Sequence, residues 1–410
     1  MLSVRGFIIL LSIPLKLLLV LIKYPFFGGL NEKFKNDLKN SLKLMLCRTA
    51  LSMPVLDSSI LSILSNYFLL NKLLKSLYPN LIKPLANYGK SYDKQSYWIV
   101  KPETRKSSDP ILIYLHGGGY YFETMPSQLE SLLSIYYLLD TKKKQNSNLS
   151  ILLLDYKLAS RGYKMTTQLH ELLETYTSLV KEGNDNFIFM GDSAGGNLSL
   201  IFIQYLKQHN LELPYPKHLI LISPWVKIHP DKKQGNTPGY SYHDNSPRDM
   251  IQYHLMEQED RQQQIMGEKT WQSLIVSPGN YLPYKFEDWE KIPTFKNKDS
   301  SVFVILGEHE VFRDDILDWC QWALKCPLRK SDRDSGGKFD KEIHEYKGNL
   351  SGCEVEVVVE PWGVHDSSLF FENHIIGKIR KYPNININSL NQEEFFGVIK
   401  ISQFLNRCLD

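Results

Sequence analysis

The sequence predicts an α/β fold: a mostly parallel central sheet flanked by helices. Three observations carry that reading. Short apolar runs such as Ile111–Leu115, Phe187–Met190, Leu219–Ile222, Ser301–Leu306 and Glu354–Val359 read as buried strands, apolar on both faces as parallel strands are. Helical patterns follow several of them, as in Asn197–Gln208 with Leu198, Ile201, Phe202 and Tyr205 on one side. Two glycine-rich motifs, His116-Gly117-Gly118-Gly119 and Gly191-Asp192-Ser193-Ala194-Gly195-Gly196, each begin where an apolar run ends.

The second motif contains G-x-S-x-G. A serine hydroxyl is a weak nucleophile until a base takes its proton and the backbone presents it to substrate. A sharp strand-to-helix turn does the presenting, and glycines on either side leave room for it. The predicted strand before Ser193 and helix after it supply that context, which makes Ser193 the candidate nucleophile. The first motif offers consecutive backbone N–H groups that can converge on a developing alkoxide. Gly118 and Gly119 are the expected oxyanion donors, with Ala194 N–H the third because it follows the nucleophile. His116, Gly117 and Asp192 are supporting members, and His116 is expected to fix the loop rather than act as a base. A phosphate cradle is the rival reading of the glycines, but neither the lysine-hydroxyl pair nor the helix-opening glycine pattern of nucleotide sites accompanies them. Together the motifs predict acyl transfer, most simply ester hydrolysis.

These motifs resemble the hormone-sensitive-lipase-like branch of the α/β-hydrolases, with Asp155-Tyr156-Lys157-Leu158-Ala159-Ser160 standing between them where that branch writes Asp-Tyr-Arg-Leu-Ala-Pro. The likeness runs from about Tyr97 to His365. Within the branch, the apolar N-terminus and long C-terminal insertions look most like the fungal steryl acetyl hydrolases, themselves similar to arylacetamide deacetylases. The resemblance implies chain order serine, acid, histidine. Aligned on Arg313-Asp314, the acid falls at Glu310, chemically adequate because it need only orient the imidazole and stabilise the imidazolium. Asp314 and Asp315 are the alternatives, but they read as first-turn carboxylates of a helix from Ile316 to Leu324. His365, in a loop after the last strand, is the expected base, and His309 is its competitor. The chemistry proposed requires no metal or cofactor.

Of the 410 residues, 43% are hydrophobic, enough for one large catalytic domain and a smaller appendage. The net charge of +3 and the lack of a basic-aromatic pattern argue against nucleic acid. The five cysteines, Cys47, Cys320, Cys326, Cys353 and Cys408, are scattered and show neither zinc-ligand spacing nor a disulfide framework.

The N-terminal run Phe7–Ile22 is strongly apolar, interrupted by Pro14 and Lys16. As a helix it would extend about 24 Å, short of a hydrocarbon core of roughly 30 Å; extended to Phe27, it could cross if Lys16 left the lipid. A spanning helix, a cleaved signal and a helix lying in the interface are the three readings. Asn148-Leu149-Ser150 and Asn349-Leu350-Ser351 are glycosylation sequons, and Asn197-Leu198-Ser199, beside the nucleophile, is a coincidental match. The resemblance implies the endoplasmic reticulum membrane with a luminal active site.

The expected organisation is therefore a membrane anchor or interfacial segment at 1–30 and a helical segment contributing to a cap at 31–90. The α/β-hydrolase catalytic domain is expected at 91–224 and 294–410, with a cap insertion at 225–293. The insertion carries Tyr240, Tyr242, Tyr253, Trp271, Tyr281 and Tyr284, most of which are expected to pack the cap itself. The stretch Arg329–Asn349 reads as a solvated excursion, and Gln392–Leu409 as the final helix. The expected partners are a small apolar ester, a sterol or other lipid-like acetate, and membrane lipid through the N-terminal segment. A lipase or amidase of the same fold, or a hydrolase fold serving as a non-catalytic membrane binding module, are the rival functions.

Overall fold

A computed structural model describes residues 2–62, 64–268, 270–280, 286–331 and 335–410. Among the described residues, nine strands form one sheet: β1 Ser91–Asp93, β2 Ser96–Val100, β3 Ile111–Leu115, β4 Ser150–Leu154, β5 Phe187–Asp192, β6 His218–Ile222, β7 Ser301–Gly307, β8 Glu345–Leu350 and β9 Cys353–Glu360. Their order is β1-β2-β4-β3-β5-β6-β7-β9-β8. From β4 through β9 neighbours run parallel, while β1, β2 and β8 pair antiparallel at the two edges. The α/β-hydrolase architecture is thus present, with a mostly parallel sheet.

Alternate residues of the central strands enter two separate cores. Ile111, Ile113, Phe187 and Phe189 face one, and Leu112, Tyr114, Ile188 and Met190 face the other. Helices Thr167–Lys181, Ala194–Gln208 and Arg313–Leu324 cover the first face, and Pro126–Leu138 and Phe396–Cys408 the second. Burial on both faces explains why these strands read as unbroken apolar runs. The final helix is shorter than expected, Phe396–Cys408, and stacks Phe404 on Phe303 of β7 with ring centroids 5.0 Å apart.

The parallel register brings Leu115 level with Gly191, Asp192 with Ile222, and Gly307 with Glu360. The loops leaving β3, β5, β6, β7 and β9 therefore emerge at one edge, the carboxyl ends of the strands, where open α/β sheets build their sites.

One expectation is corrected. The Arg329–Asn349 stretch is not only a solvated excursion: its last residues form β8, which pairs with β9 and sets Lys347 3.3 Å from Glu356. The charges that made it look like a loop are those an edge strand carries. Among its residues, 332–334 lie outside the described set, as do Tyr281 and Tyr284 of the insertion.

Candidate active site

Ser193 stands between β5 and the helix Ala194–Gln208 with φ 50° and ψ −113°, a conformation that costs a non-glycine residue about 1–3 kcal/mol. Three hydrogen bonds hold it there. Ser193 N donates to Ile222 O at 2.9 Å, while Trp225 N and Asn197 N donate to Ser193 O at 2.9 and 3.0 Å. The flanking glycines serve a purpose the sequence reading did not distinguish. Neither Gly191 nor Gly195 has a positive φ; each is required by close approach. A Cβ on Gly195 would sit 1.8 Å from Leu115 O, and one on Gly191 would sit 2.4 Å from Gly195 O. The turn is sharp because the helix start is pressed onto the end of β3.

In the other glycine motif the backbone does need glycine. Gly118 and Gly119 have φ of 109° and 61°. Among the described residues, no protein acceptor takes the N–H of Gly118, Gly119 or Ala194. Three unpaired amides beside a serine, with Gly118 and Gly119 lining the same cavity as Ser193, are what an oxyanion site requires.

The supporting residues His116 and Asp192 are buried. His116 Nδ1 lies 2.7 Å from Gly117 O, and its ring stacks on Tyr156 at 4.1 Å. Burial pushes its pKa down to about 4, so it is neutral and fixes the loop. Asp192 accepts from Tyr114 OH at 2.6 Å and Gln128 Nε2 at 2.7 Å. The middle motif buttresses the glycine loop: Tyr156 OH donates to His116 O at 2.6 Å, and Ala159 N to Tyr120 O at 2.7 Å. Asn197 is fully buried between Tyr120 OH and Trp225 O, which removes its sequon from consideration.

His365 and Glu310 are brought together. His365 Nδ1 is 3.7 Å from Glu310 Oε1, beyond a hydrogen bond. Both atoms are buried without a hydrogen-bond partner, so a small rotation of either side chain would pair them. The other oxygen, Oε2, is held by Ser223 Oγ at 2.6 Å and Gly307 N at 2.7 Å. The alternative acids are occupied elsewhere: Asp314 accepts from Ser241 N at 2.7 Å, and Asp315 from Tyr242 OH at 2.8 Å. His309 turns toward Arg248 and Glu32, away from the cavity.

Two acidic residues missed in the sequence complete the surroundings. Asp366 Oδ2 lies 3.2 Å from His365 Nε2, and its N–H donates to Ser223 Oγ at 3.0 Å. Asp249, from the insertion, is fully buried and accepts from three backbone N–H groups: Met250 at 2.7 Å, Val311 at 2.7 Å and His365 at 2.9 Å. It ties the loop after β7 to the loop after β9. Losing it would orphan buried donors at about 1–3 kcal/mol each.

Burial would lower the pKa of His365, but Asp366 and then Glu310 outweigh it and raise the pKa well above the ordinary value. A base must be neutral, so the rate should climb as pH rises through that raised value. Asp366→Asn removes the largest opposing charge and lowers the pKa of His365. The acid limb of the kcat/KM–pH profile is expected to move to lower pH. An unmoved limb would show that Asp366 does not act on the histidine.

Ser193, Gly118, Gly119 and His365 line one cavity of about 440 Å³. Its far wall comes from two separated segments, with Leu46, Cys47 and Leu51 from the helix Leu38–Leu51 and Met250, Leu255 and Ile265 from the insertion. Of the insertion's aromatics, Tyr240, Tyr242, Tyr253 and Trp271 do not line it.

The fold alone is shared with solved structures of low sequence identity. An esterase of the bacterial hormone-sensitive lipase family superposes with a TM-score of 0.54 at 17% identity, covering 90% of this chain and 97% of that one. A hormone-sensitive lipase from a metagenome library gives 0.51 at 16% identity, covering 90% and 97%. Two fungal proteins are similar in sequence. One, from Schizosaccharomyces pombe and provisionally named a steryl acetyl hydrolase, is 35% identical over 57% of this chain and 61% of its own length. Steryl acetyl hydrolase 1 of Saccharomyces cerevisiae is 32% identical over 34% of this chain and 32% of its own. The matched regions thus span less than two thirds of these relatives. The sequence model of the steryl acetyl hydrolase family, however, matches residues 37–332, taking in the helix over the cavity, both glycine motifs, the insertion and the loop after β7. The chain belongs to the steryl acetyl hydrolase family.

Proposed function

We propose that this protein is a serine carboxylic-ester hydrolase that removes acetyl groups from apolar alcohols, steryl acetates among them. The observation that carries the reading is the grouping of a strained serine, the unpaired amides of Gly118 and Gly119 and a buried histidine at one largely apolar cavity. In the proposed mechanism His365, oriented by Glu310, takes the Ser193 proton as Oγ attacks the ester carbonyl. The oxyanion is received by Gly118, Gly119 and Ala194 N–H. The alcohol leaves with the proton from His365, and water releases acetate by the reverse transfers. In the observed arrangement Asp366 occupies Nε2, so a turn of the imidazole or of Asp366 precedes the first transfer. Residues 31–90 and 225–293 act as the cap, and their Leu, Met and Ile side chains exclude water from the acyl-enzyme.

The acyl preference rests on kinship with relatives named for acetyl hydrolysis, and the alcohol preference on the aliphatic wall. Both are tested together by kcat/KM for a steryl acetate, a steryl ester of a long acyl chain and a water-soluble acetate. The steryl acetate is expected to lead each by about tenfold or more, the scale on which one or two misfitted methylenes count. A lead for the long-chain ester would replace the reading with that of a lipase.

A further inference from the structure

The wall of the cavity holds a buried cation that the proposed chemistry leaves unused. Arg261, on the helix Glu259–Met266 of the insertion, lines the cavity and is 6% exposed. Its guanidinium is taken up by three neutral oxygens. Nη1 donates to Met53 O at 2.9 Å, and Nη2 donates to Leu51 O at 2.7 Å and to the Tyr121 hydroxyl at 2.7 Å. The two carbonyls lie at and just past the end of the helix Leu38–Leu51, where the helix dipole places partial negative charge. One side chain thus joins both halves of the cap to the loop of the first glycine motif.

The third of those bonds reaches the chemistry. Tyr121 and Phe122 close the turn after the motif, and both their N–H groups donate to Gly118 O, at 3.1 and 3.0 Å. Each packs on one of the oxyanion glycines. A Cβ on Gly118 would meet Phe122 Cβ at 2.9 Å, and one on Gly119 would meet Tyr121 Cε1 at 2.5 Å. Glycine has no side chain to fix its own peptide planes, so the aim of its N–H depends on what leans against it. The contact on Gly118 is made by a Cβ, which the backbone fixes. The contact on Gly119 is made by the ring of Tyr121, at the far end of a side chain that turns about two torsions. Both rings border the open cavity, which offers no packing on that side. The bond from Arg261 to the hydroxyl is what holds the Tyr121 ring in place. Joining the two halves of the cap does not demand that bond, because Arg48 spans the same two segments, donating from Nε to Asp249 O at 2.6 Å and from Nη2 to Pro247 O.

We propose that Arg261 is a positioning residue for the hydrolysis: it holds the Tyr121 ring against Gly119 and so keeps the Gly119 N–H aimed at the developing oxyanion. Because the guanidinium belongs to the insertion, the oxyanion site is complete only with the cap in place. The proposal rests on the esterase reading.

Arg261→Met, Tyr121→Phe and the double variant test it, with kinetics on a steryl acetate and on p-nitrophenyl acetate. Inhibition by an apolar trifluoromethyl ketone, which forms a tetrahedral adduct on a nucleophilic serine, is measured beside them. A lost oxyanion donor costs about 10²–10³ in rate and a misaimed one less. Each single variant is therefore expected to lower kcat by about tenfold or more and to weaken the ketone by the same factor, with KM within about twofold. The double variant is expected to be no slower than the slower single one, since both changes remove one bond. Losses that multiply in the double variant overturn the proposal. So does a raised KM at unchanged kcat, which would make Arg261 a strut of the cap alone. Tyr121→Phe leaves both carbonyl bonds of Arg261 in place, so it carries the test even where Arg261→Met does not fold. The native chain separates the two readings. Without turnover or adduct it removes the esterase reading and this proposal with it, whereas an active native chain with unmoved variants removes this proposal alone.

Discussion

Ser193→Ala is expected to lower kcat by about 10⁴–10⁶ and to abolish labelling by a fluorophosphonate probe, the scale on which a nucleophile counts when the rest of the machinery stays in place. The reasoning is local. Removing Oγ leaves the amides of Gly118, Gly119 and Ala194 without a protein acceptor, as they already are, and leaves Asp249, Ser223 and Glu310 in their bonds. Some catalysis over water should survive through the oxyanion donors, so activity near background rather than zero is the expected reading. Stability should hardly move, because the backbone bonds that fix φ at 50° belong to N and O, not to the side chain. A companion variant, Ser193→Gly, should melt higher by relieving strain of about 1–3 kcal/mol while being equally inactive. Turnover within tenfold of the native chain in Ser193→Ala, at unchanged fold, would remove Ser193 from the chemistry.

What the residues alone disclosed was decided by how local each signal is. The five strands marked by apolar runs are buried on both faces and carry their pattern within five to eight residues. Four strands were not singled out: β1 and β8 are edges with polar side chains, β2 is a short antiparallel strand beside one of them, and β4 begins at a sequon. There Asn148 takes a left-handed conformation just before Ser150 enters the sheet. Ser193, Gly118 and Gly119 stood out because a turn imposes its residues at fixed spacing. Glu310 and His365 were reached only through chain order and resemblance. Asp249 left no such trace. It lies in the insertion, some sixty residues from Val311 and more than a hundred from His365, and its role exists only because folding stacks those three backbones. Ser223 had a readable sign that was not used: a polar residue at the carboxyl end of a parallel strand, where sites of this architecture assemble.

Glu310→Gln is expected to lower kcat by about 10³–10⁴ while leaving the fold intact, because it changes the proton on the histidine rather than the packing. Oε2 accepts from both Ser223 Oγ and Gly307 N, so the amide oxygen of a glutamine must take that position. Its NH₂ then faces His365 Nδ1 and can only donate. Nδ1 is forced to accept, the ring proton moves to Nε2, and the nitrogen meant to take the serine proton no longer has a free lone pair. The variant also loses a carboxylate that raises the pKa of His365, so its residual activity should show an acid limb at lower pH. Glu310→Asp keeps the charge but retracts it by a methylene, and a misplacement of about 1 Å should cost about 10². Asp314→Asn is the necessary contrast. That carboxylate caps Ser241 and pairs with Arg313, so its loss should lower the melting temperature and leave the pH profile where it was. If Asp314→Asn costs more turnover than Glu310→Gln, the acid has been placed on the wrong residue. The longer side chain at 310 would then be a strut for Ser223 and the loop after β7, and the imidazole would depend on the other carboxylate.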